Sequence, residues 1–156
     1  MKKTVIITMM SLVMMATGIY SGLAEDPRSL TSIHGYSLKN HPGPKGDFNI
    51  WVITHENAFN EEFVAGEDAR VKPDFDKQLV VAMSVQTYDY TYRVSFERSV
   101  VEKGELHIYF RVRKEKADAE PGMVSIAAID KTPGLKRVHF YHDNIRVRTV
   151  PIVTVY

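Results

Sequence analysis

Two kinds of apolar pattern occur along the chain. Phe48–Ile53 and Leu79–Val85 are almost continuously apolar, which is typical of strands covered on both faces. Tyr88–Glu97 and Leu106–Arg113 instead place an aromatic or aliphatic residue at every second position, the pattern of half-buried strands. The polar Glu102–Glu105 segment between the two alternating strands predicts a turn, so these strands are expected to form an antiparallel hairpin.

The remaining elements follow from shorter patterns. Phe59 and Phe63 lie four residues apart on one face of a helix predicted over His55–Phe63, with Thr54 as its N-cap and Gly66 as its end. Three short strands are predicted at Met123–Ile129, Arg137–Tyr141 and Ile145–Val150, the last two joined through His142, Asp143 and Asn144, with Pro151 at a strand end. The fold class is therefore mainly β (α+β), with about seven antiparallel strands in a sheet or sandwich and one short helix packed on a face.

The first 24 residues have the pattern of a cleavable signal peptide. Lys2 and Lys3 precede an apolar stretch over Val5–Ala16, and small residues lead up to Ala24. We expect cleavage after Ala24 and a protein that is secreted or periplasmic. An uncleaved membrane anchor is the alternative, but Ser11, Thr17 and Gly18 interrupt the run before it reaches the length of a spanning helix.

Residues 25–47 are expected to form a leader ahead of a single β domain over residues 48–156. Proline and glycine recur through this segment with only scattered apolar residues, which favours irregular or extended backbone. Such a leader either tethers the domain or lies against it.

Composition narrows the function classes. The chain has no cysteine, so neither disulfides nor thiol chemistry are expected. Lys and Arg number 20, two of them in the signal peptide, against 19 Asp and Glu. This near balance argues against nucleic acid as a partner and against attachment to an acidic membrane surface.

No group of residues predicts catalysis, a cofactor or a metal. His139 and His142 are three residues apart in a strand and its turn, so they should point to opposite faces and not converge on an ion. Asp74 and Asp76 share one side of an extended segment, but acidic residues just before a strand are typical turn formers. The sequence therefore predicts a protein that is not an enzyme, with no catalytic residues, no cofactor and no metal site.

Binding residues are predicted on two surfaces. Tyr88 and Tyr90 lie at the loop end of an alternating strand and could contact a protein or a glycan. Outward arginines could gather into a basic face if their strands are neighbours, although a solvated face interleaved with Glu97 and Glu105 is the simpler interpretation. These arginines are Arg93, Arg111, Arg113, Arg146 and Arg148, of which Arg111 and Arg113 are taken with Tyr88 and Tyr90 as the possible partner-binding residues.

The order of elements resembles the C-terminal domain of PrcB-type protease complex subunits. The features that carry the resemblance are the strand and short helix ending at Phe63, the segment Pro73–Ala82, the alternating hairpin with a polar-glycine turn, and Pro121 before a strand. One feature departs from the family, because Tyr88–Tyr92 replaces a Gly-Gly-Tyr turn. The family consists of exported bacterial proteins and takes its name from an accessory subunit that stabilises a surface protease.

The resemblance implies an exported, non-enzymatic binding or accessory protein that docks on another extracytoplasmic protein, such as a protease. Two alternatives stay open. One is a carbohydrate-binding module that uses the Tyr88 and Tyr90 strand, and the other is a hydrolase whose site the sequence does not reveal.

Overall fold

A computed structural model describes residues 26–40, 48–85, 92–115 and 124–152. The signal-peptide segment, Tyr88 and Tyr90 lie outside these residues. The elements are β1 (Asp26–Arg28), β2 (Thr31–Ile33), β3 (Tyr36–Leu38), β4 (Phe48–Ile53), α1 (Glu56–Glu62), β5 (Phe63–Ala65), β6 (Gln78–Val85), β7 (Tyr92–Glu102), β8 (Glu105–Lys114), β9 (Val124–Asp130), β10 (Arg137–His142) and β11 (Ile145–Pro151). The mainly β fold class is confirmed, and each of the seven predicted strands corresponds to a long strand.

The strands form two principal sheets and one small sheet. A five-stranded sheet has the order β1-β7-β8-β10-β11, and a four-stranded sheet has the order β2-β9-β6-β4. β3 and β5 form the small two-stranded sheet. One pairing departs from the expected antiparallel arrangement, because β10 lies parallel to β8. The chain reaches β10 from β8 by way of β9, which belongs to the other sheet.

The main core lies between the five-stranded and four-stranded sheets. The buried side chains that fill it come from alternate positions of the facing strands, as expected for strands that present one face to a core. Its buried members are Leu79, Val81, Met83, Val94, Val101, Leu106, Ile108, Phe110, Ala127, Ile129, Val138 and Phe140. Of the inward residues predicted in the second hairpin strand, Leu106, Ile108 and Phe110 are buried, and Val112 is partly buried against the main core.

A second core covers the opposite face of the four-stranded sheet. Val80 and Ala82 of β6 point into it, whereas their neighbours Val81 and Met83 point into the main core. This double coverage explains why β6 is continuously apolar. The covering layer is α1 with the β3–β5 sheet, and Phe59 and Phe63 contact each other within it at a ring-centroid distance of 5.0 Å.

The helix boundaries differ from the prediction. His55, not Thr54, is the N-cap, and it makes no side-chain capping bond. The helix ends at Glu62, and the next three residues form β5 in place of a continued helix to Gly66. The pairing of β5 with β3 supplies hydrogen bonds that the local helical pattern could not anticipate.

The predicted leader is part of the fold over residues 26–40. β1 extends the five-stranded sheet next to β7, and β2 extends the four-stranded sheet next to β9. Ile33 and Leu38 are buried in the second core. Of the two arrangements considered for this segment, residues 26–40 therefore lie against the domain.

Candidate functional site

The outer face of the five-stranded sheet carries a continuous row of stacked side chains, which we call the stacked row. His107 and Tyr109 of β8 lie beside His139 and Tyr141 of β10, because the parallel register pairs His107 with His139 and Tyr109 with Tyr141. The row is completed by Arg98 of β7, which the antiparallel register places opposite Tyr109. All five residues share one face of the sheet.

Ring geometry shows that these side chains pack face to face. The Tyr109 and Tyr141 rings are 4.8 Å apart at an interplanar angle of 17°, and the His107 and His139 rings are 5.0 Å apart at 28°. The His107 ring also stacks on Tyr141 at 5.7 Å. The Arg98 guanidinium lies 3.6 Å from the centre of the Tyr109 ring, a cation–π contact.

A β-bulge places Arg98 in this row. The pairing of β7 with β8 shifts between Phe96 and Arg98, so the extra residue Glu97 reverses the alternation. Before the bulge, even-numbered residues such as Val94 point to the core, and after it the odd-numbered Val101 does. Without the bulge, Arg98 would point inward.

Hydrogen bonds fix the histidine end of the stacked row. His139 Nε2 lies 2.9 Å from a carboxylate oxygen of Glu105, and its Nδ1 lies 2.8 Å from the Thr149 hydroxyl. An ionised carboxylate can only accept, so Nε2 donates to Glu105. His107 Nδ1 lies 3.0 Å from the Tyr141 hydroxyl. Side chains of β8 and β11, the two neighbours of β10, therefore hold His139 and Tyr141 in place.

His139 is buried although it lies on the outer face of the sheet. It lies on the outer face of the sheet as expected for its position, yet it is only 4% exposed. The Glu105 and Thr149 side chains and the His107 ring enclose it. His139 is therefore a histidine of the outer sheet face that its neighbours shield from solvent.

Two pKa values in this region are shifted. The hydrogen bond from His139 is the main reason that the pKa of the Glu105 carboxyl is lowered. Burial is the main reason that the pKa of the Tyr141 phenol is raised, and the neighbouring Tyr109 adds to it. Glu105 is therefore an ionised acceptor at neutral pH, and Tyr141 keeps its proton.

The contact between Glu105 and His139 should make the free energy of unfolding depend on pH in the acidic range. Its pKa in the folded protein lies below the ordinary value of 4.5, so its contribution is complete above that value and is lost as the pH falls through the lowered pKa. In urea melts from pH 7 to pH 3, we expect the stability difference between wild type and Glu105→Gln to shrink as the pH falls.

The control for this experiment is Glu61→Gln, which changes an exposed carboxyl on α1, remote from the sheet. We expect its difference from wild type to be small at every pH. A Glu105→Gln difference that stays constant or grows toward pH 3 would contradict the assigned contact.

The other sequence candidates have structural explanations. His142 is the last residue of β10 and stacks on Phe110 at 5.4 Å on the core side, opposite His139. The two histidines therefore point to opposite faces, as predicted. Over the described ranges, no group of three or more His, Cys, Asp or Glu side chains converges as metal ligands would.

Asp74 and Asp76 take part in a turn, as predicted. The Asp76 amide donates to the Asp74 side chain at 3.2 Å, and the Lys77 and Gln78 amides donate to the Asp74 carbonyl. Lys77 also pairs with the Asp74 carboxylate at 3.2 Å, and its hydrogen bond is the main reason that the pKa of Asp74 is lowered. The Asp74 carboxylate and carbonyl therefore stabilise the turn before β6.

Four of the five predicted arginines lie on the outer face of the five-stranded sheet, and two of them pair with carboxylates, in line with the simpler interpretation of a solvated mixed face. Arg111 pairs with Glu97 at 2.7 Å and Arg93 with Glu115 at 2.8 Å. Arg113 is exposed on the same face as Arg93 and makes no ion pair with a described residue. A bulge in β10–β11 places Arg146 opposite Tyr141 and Arg148 opposite the core residue Phe140, so these two arginines point to opposite faces.

The structure also has a groove of about 410 Å³. It opens where β2, β7 and β9 approach each other, and its lining includes Ser32, His34 and Ser125. The Ser125 hydroxyl already donates to the Val94 carbonyl at 2.5 Å. Arg93 and Phe96 also line the groove, and Arg93 is already paired with Glu115 at 2.8 Å.

Searches of known protein families, of curated proteins and of solved structures find no match to this chain. In the described ranges, no helix has the length and apolar character needed to cross a membrane. The site is therefore interpreted from its own geometry.

Proposed function

We propose that this chain is an exported, non-enzymatic accessory protein that docks on another protein outside the cytoplasm. The observation that carries the proposal is the stacked row of Arg98, Tyr109, Tyr141, His107 and His139 on the outer face of the five-stranded sheet. Tyrosine and arginine are the residues that most often dominate protein interfaces. Here their conformations are already fixed by stacking, so binding costs little side-chain entropy.

The orientation of the rings favours a protein over a sugar as the ligand. Sugars stack on open aromatic faces, whereas the faces of Tyr109 and Tyr141 contact each other and Arg98 covers Tyr109. The row therefore offers ring edges, hydroxyl groups and a guanidinium. These groups suit the mixed polar and apolar surface of a folded protein.

Charge indicates the chemistry of the partner. Arg98 and Arg113 are exposed, and neither forms an ion pair with a described carboxylate. An acidic patch on the partner would complement this side of the sheet. The resemblance to PrcB-type subunits names a protease as a partner of this kind, and signal-peptide cleavage after Ala24 would place both proteins in the same compartment.

Crosslinking mass spectrometry on intact cells tests the proposal. We expect wild type to give a reproducible crosslinked protein partner and the double variant Tyr109→Ala, Tyr141→Ala to lose it, because the variant removes the centre of the stacked row. Circular dichroism would verify that the variant is folded. The matched control is Val64→Ala, Val71→Ala, which removes two exposed apolar side chains outside this sheet.

Three outcomes would overturn the proposal. The first is a crosslinked partner that both double variants retain, and the second is the absence of any partner for wild type. The third is binding on a glycan array that depends on the stacked row, which would instead indicate the carbohydrate-binding alternative. Tyr88 and Tyr90 stay predicted contacts and belong in the same series of variants.

A further inference from the structure

β11 is the most exposed edge of the five-stranded sheet. It pairs with β10 on one side, and no described strand pairs with its other side. Ile145 is 69% exposed and Val147 36% exposed, so two of its apolar side chains face solvent. At seven residues, β11 is also longer than the other edge strands, since β1 and β2 have three residues each and β4 has six.

The backbone of β11 has groups directed away from the sheet. The Ile152 amide donates to the Lys136 carbonyl at 2.9 Å, which marks that pair as hydrogen-bonded. Hydrogen-bonded and non-hydrogen-bonded residue pairs alternate along an antiparallel ladder. Counting from Ile152 with Lys136, the pair of Thr149 with His139 is a non-hydrogen-bonded pair. The Thr149 N–H and C=O therefore point outward from the edge. The backbone of Pro151 has the same outward orientation, so the N–H that proline lacks would not have bonded to β10.

Charge on β11 selects what can pair with it. Arg146 and Arg148 are exposed on opposite faces of the strand, and neither makes an ion pair in the part of the chain that the structure describes. A second copy of β11 would bring four arginines together, which opposes self-pairing. An extended segment with carboxylates at alternate positions would instead place negative charge beside Arg146 or Arg148.

We infer that β11 binds an extended acidic segment of the partner, which adds a sixth strand to the five-stranded sheet. Strand addition of this kind obtains affinity from backbone hydrogen bonds and specificity from alternate side chains. The inference rests on the proposed function for the identity of the partner, because the segment would belong to the protein that covers the stacked row. Pairing at β11 can be measured with a peptide alone, so this inference and the proposed function can fail separately.

The first experiment titrates ¹⁵N-labelled protein with two hexapeptides, one alternating valine and glutamate and the other alternating valine and lysine. We expect the acidic peptide to bind about tenfold more tightly at low salt, as one or two charge contacts imply. Amide shifts should concentrate on β11. Equal binding of both peptides, shifts centred elsewhere, or no binding by the acidic peptide would overturn the inference.

The second experiment tests the backbone contact with a matched pair of variants. Thr149→Pro removes the outward N–H and should weaken the acidic peptide about tenfold, the effect of one lost hydrogen bond and its strand geometry. Thr149→Val keeps that N–H and, like Thr149→Pro, loses the hydroxyl that bonds His139, so it should bind the peptide about tenfold more tightly than Thr149→Pro does. Equal effects of the two variants would contradict strand pairing.

A third variant keeps the test decisive if Thr149→Pro does not fold. Arg146→Glu with Arg148→Glu changes two exposed side chains and should reverse the preference, so that the lysine peptide binds more tightly than the glutamate peptide. An unchanged preference would show that β11 is not the binding edge. Sedimentation of wild type should give a monomer, and self-association that Arg146→Glu strengthens or leaves unchanged would indicate a second copy as the occupant and overturn the inference.

Discussion

Phe110→Ala should destabilise the protein by about 3–5 kcal/mol, the usual cost of emptying a buried aromatic site. The Phe110 side chain is 1% exposed in the main core. The centre of its ring lies 5.3 Å from that of Phe48, which belongs to the four-stranded sheet, and 5.4 Å from that of His142, which belongs to β10. The substitution therefore removes contacts that hold both sheets together. Urea melts monitored by circular dichroism measure the loss.

Tyr109→Ala is the matched control, because it lies one position away on the outer face of the same strand. We expect it to cost about 1 kcal/mol, since a stacked aromatic pair at a partly exposed site adds roughly 0.5–1.5 kcal/mol. Its stacking on Tyr141 and contact with Arg98 make this cost larger than for an ordinary surface residue. A Tyr109→Ala loss equal to that of Phe110→Ala would mean that both faces of β8 are covered.

Gly35→Ala should cost about 2–5 kcal/mol, from a left-handed backbone penalty and a steric clash together. Gly35 has a φ of +83°, and a Cβ built there would lie 2.3 Å from the Ala69 backbone nitrogen. The Gly66 amide also donates to the Gly35 carbonyl at 2.7 Å. Backbone cannot yield as a flexible side chain would, so β3 would have to move from its place beside β5.

Gly134→Ala separates the left-handed backbone penalty from the steric clash. Gly134 has a similar φ of +75°, but a Cβ built there meets nothing within 4 Å. Only the backbone penalty applies, and we expect a loss of about 1–2 kcal/mol. Thermal melts of the two variants under one condition give the comparison. Equal losses would show that the close approach of Gly35 to Ala69 carries no energetic weight.

The seven long strands could be predicted because each spans enough residues to display its period. β6 is apolar from Leu79 to Met83, where its side chains enter one core or the other, and β8 alternates from Leu106 to Phe110. The short strands β1, β2, β3 and β5 have three residues each. Three residues are too few to establish an alternation, and these strands form only because a distant strand offers an unpaired edge.

The sequence contains a pattern that corresponds to the stacked row, but this pattern cannot be interpreted without knowledge of the strand pairing. The pattern His-apolar-Tyr occurs twice, at His107–Tyr109 and at His139–Tyr141. It becomes a single surface only because β10 lies parallel to β8 with these residues in register. Arg98 enters the row through a bulge. Neither parallel pairing between distant strands nor the position of a bulge is encoded in a local pattern.

The expectation that Arg146 and Arg148 both point outward is wrong for the same physical reason. Arg146 and Arg148 are two residues apart, which in a regular strand places them on one face. The register shift opposite Phe140 and Tyr141 inserts an extra residue and separates them. Strand parity read from a sequence therefore holds only between bulges.

The N-terminal segment has a consequence for the order of folding. β1 and β2 complete the edges of two different sheets, and a single link from the Ser99 hydroxyl to the Arg28 carbonyl spans 71 residues of chain. Contacts at such separation form late, because the intervening loop must first close. Until then, the edges of β7 and β9 stay bare and open to pairing with other chains. Docking of this segment therefore covers the edges of β7 and β9, while β11 keeps its open edge in the folded protein.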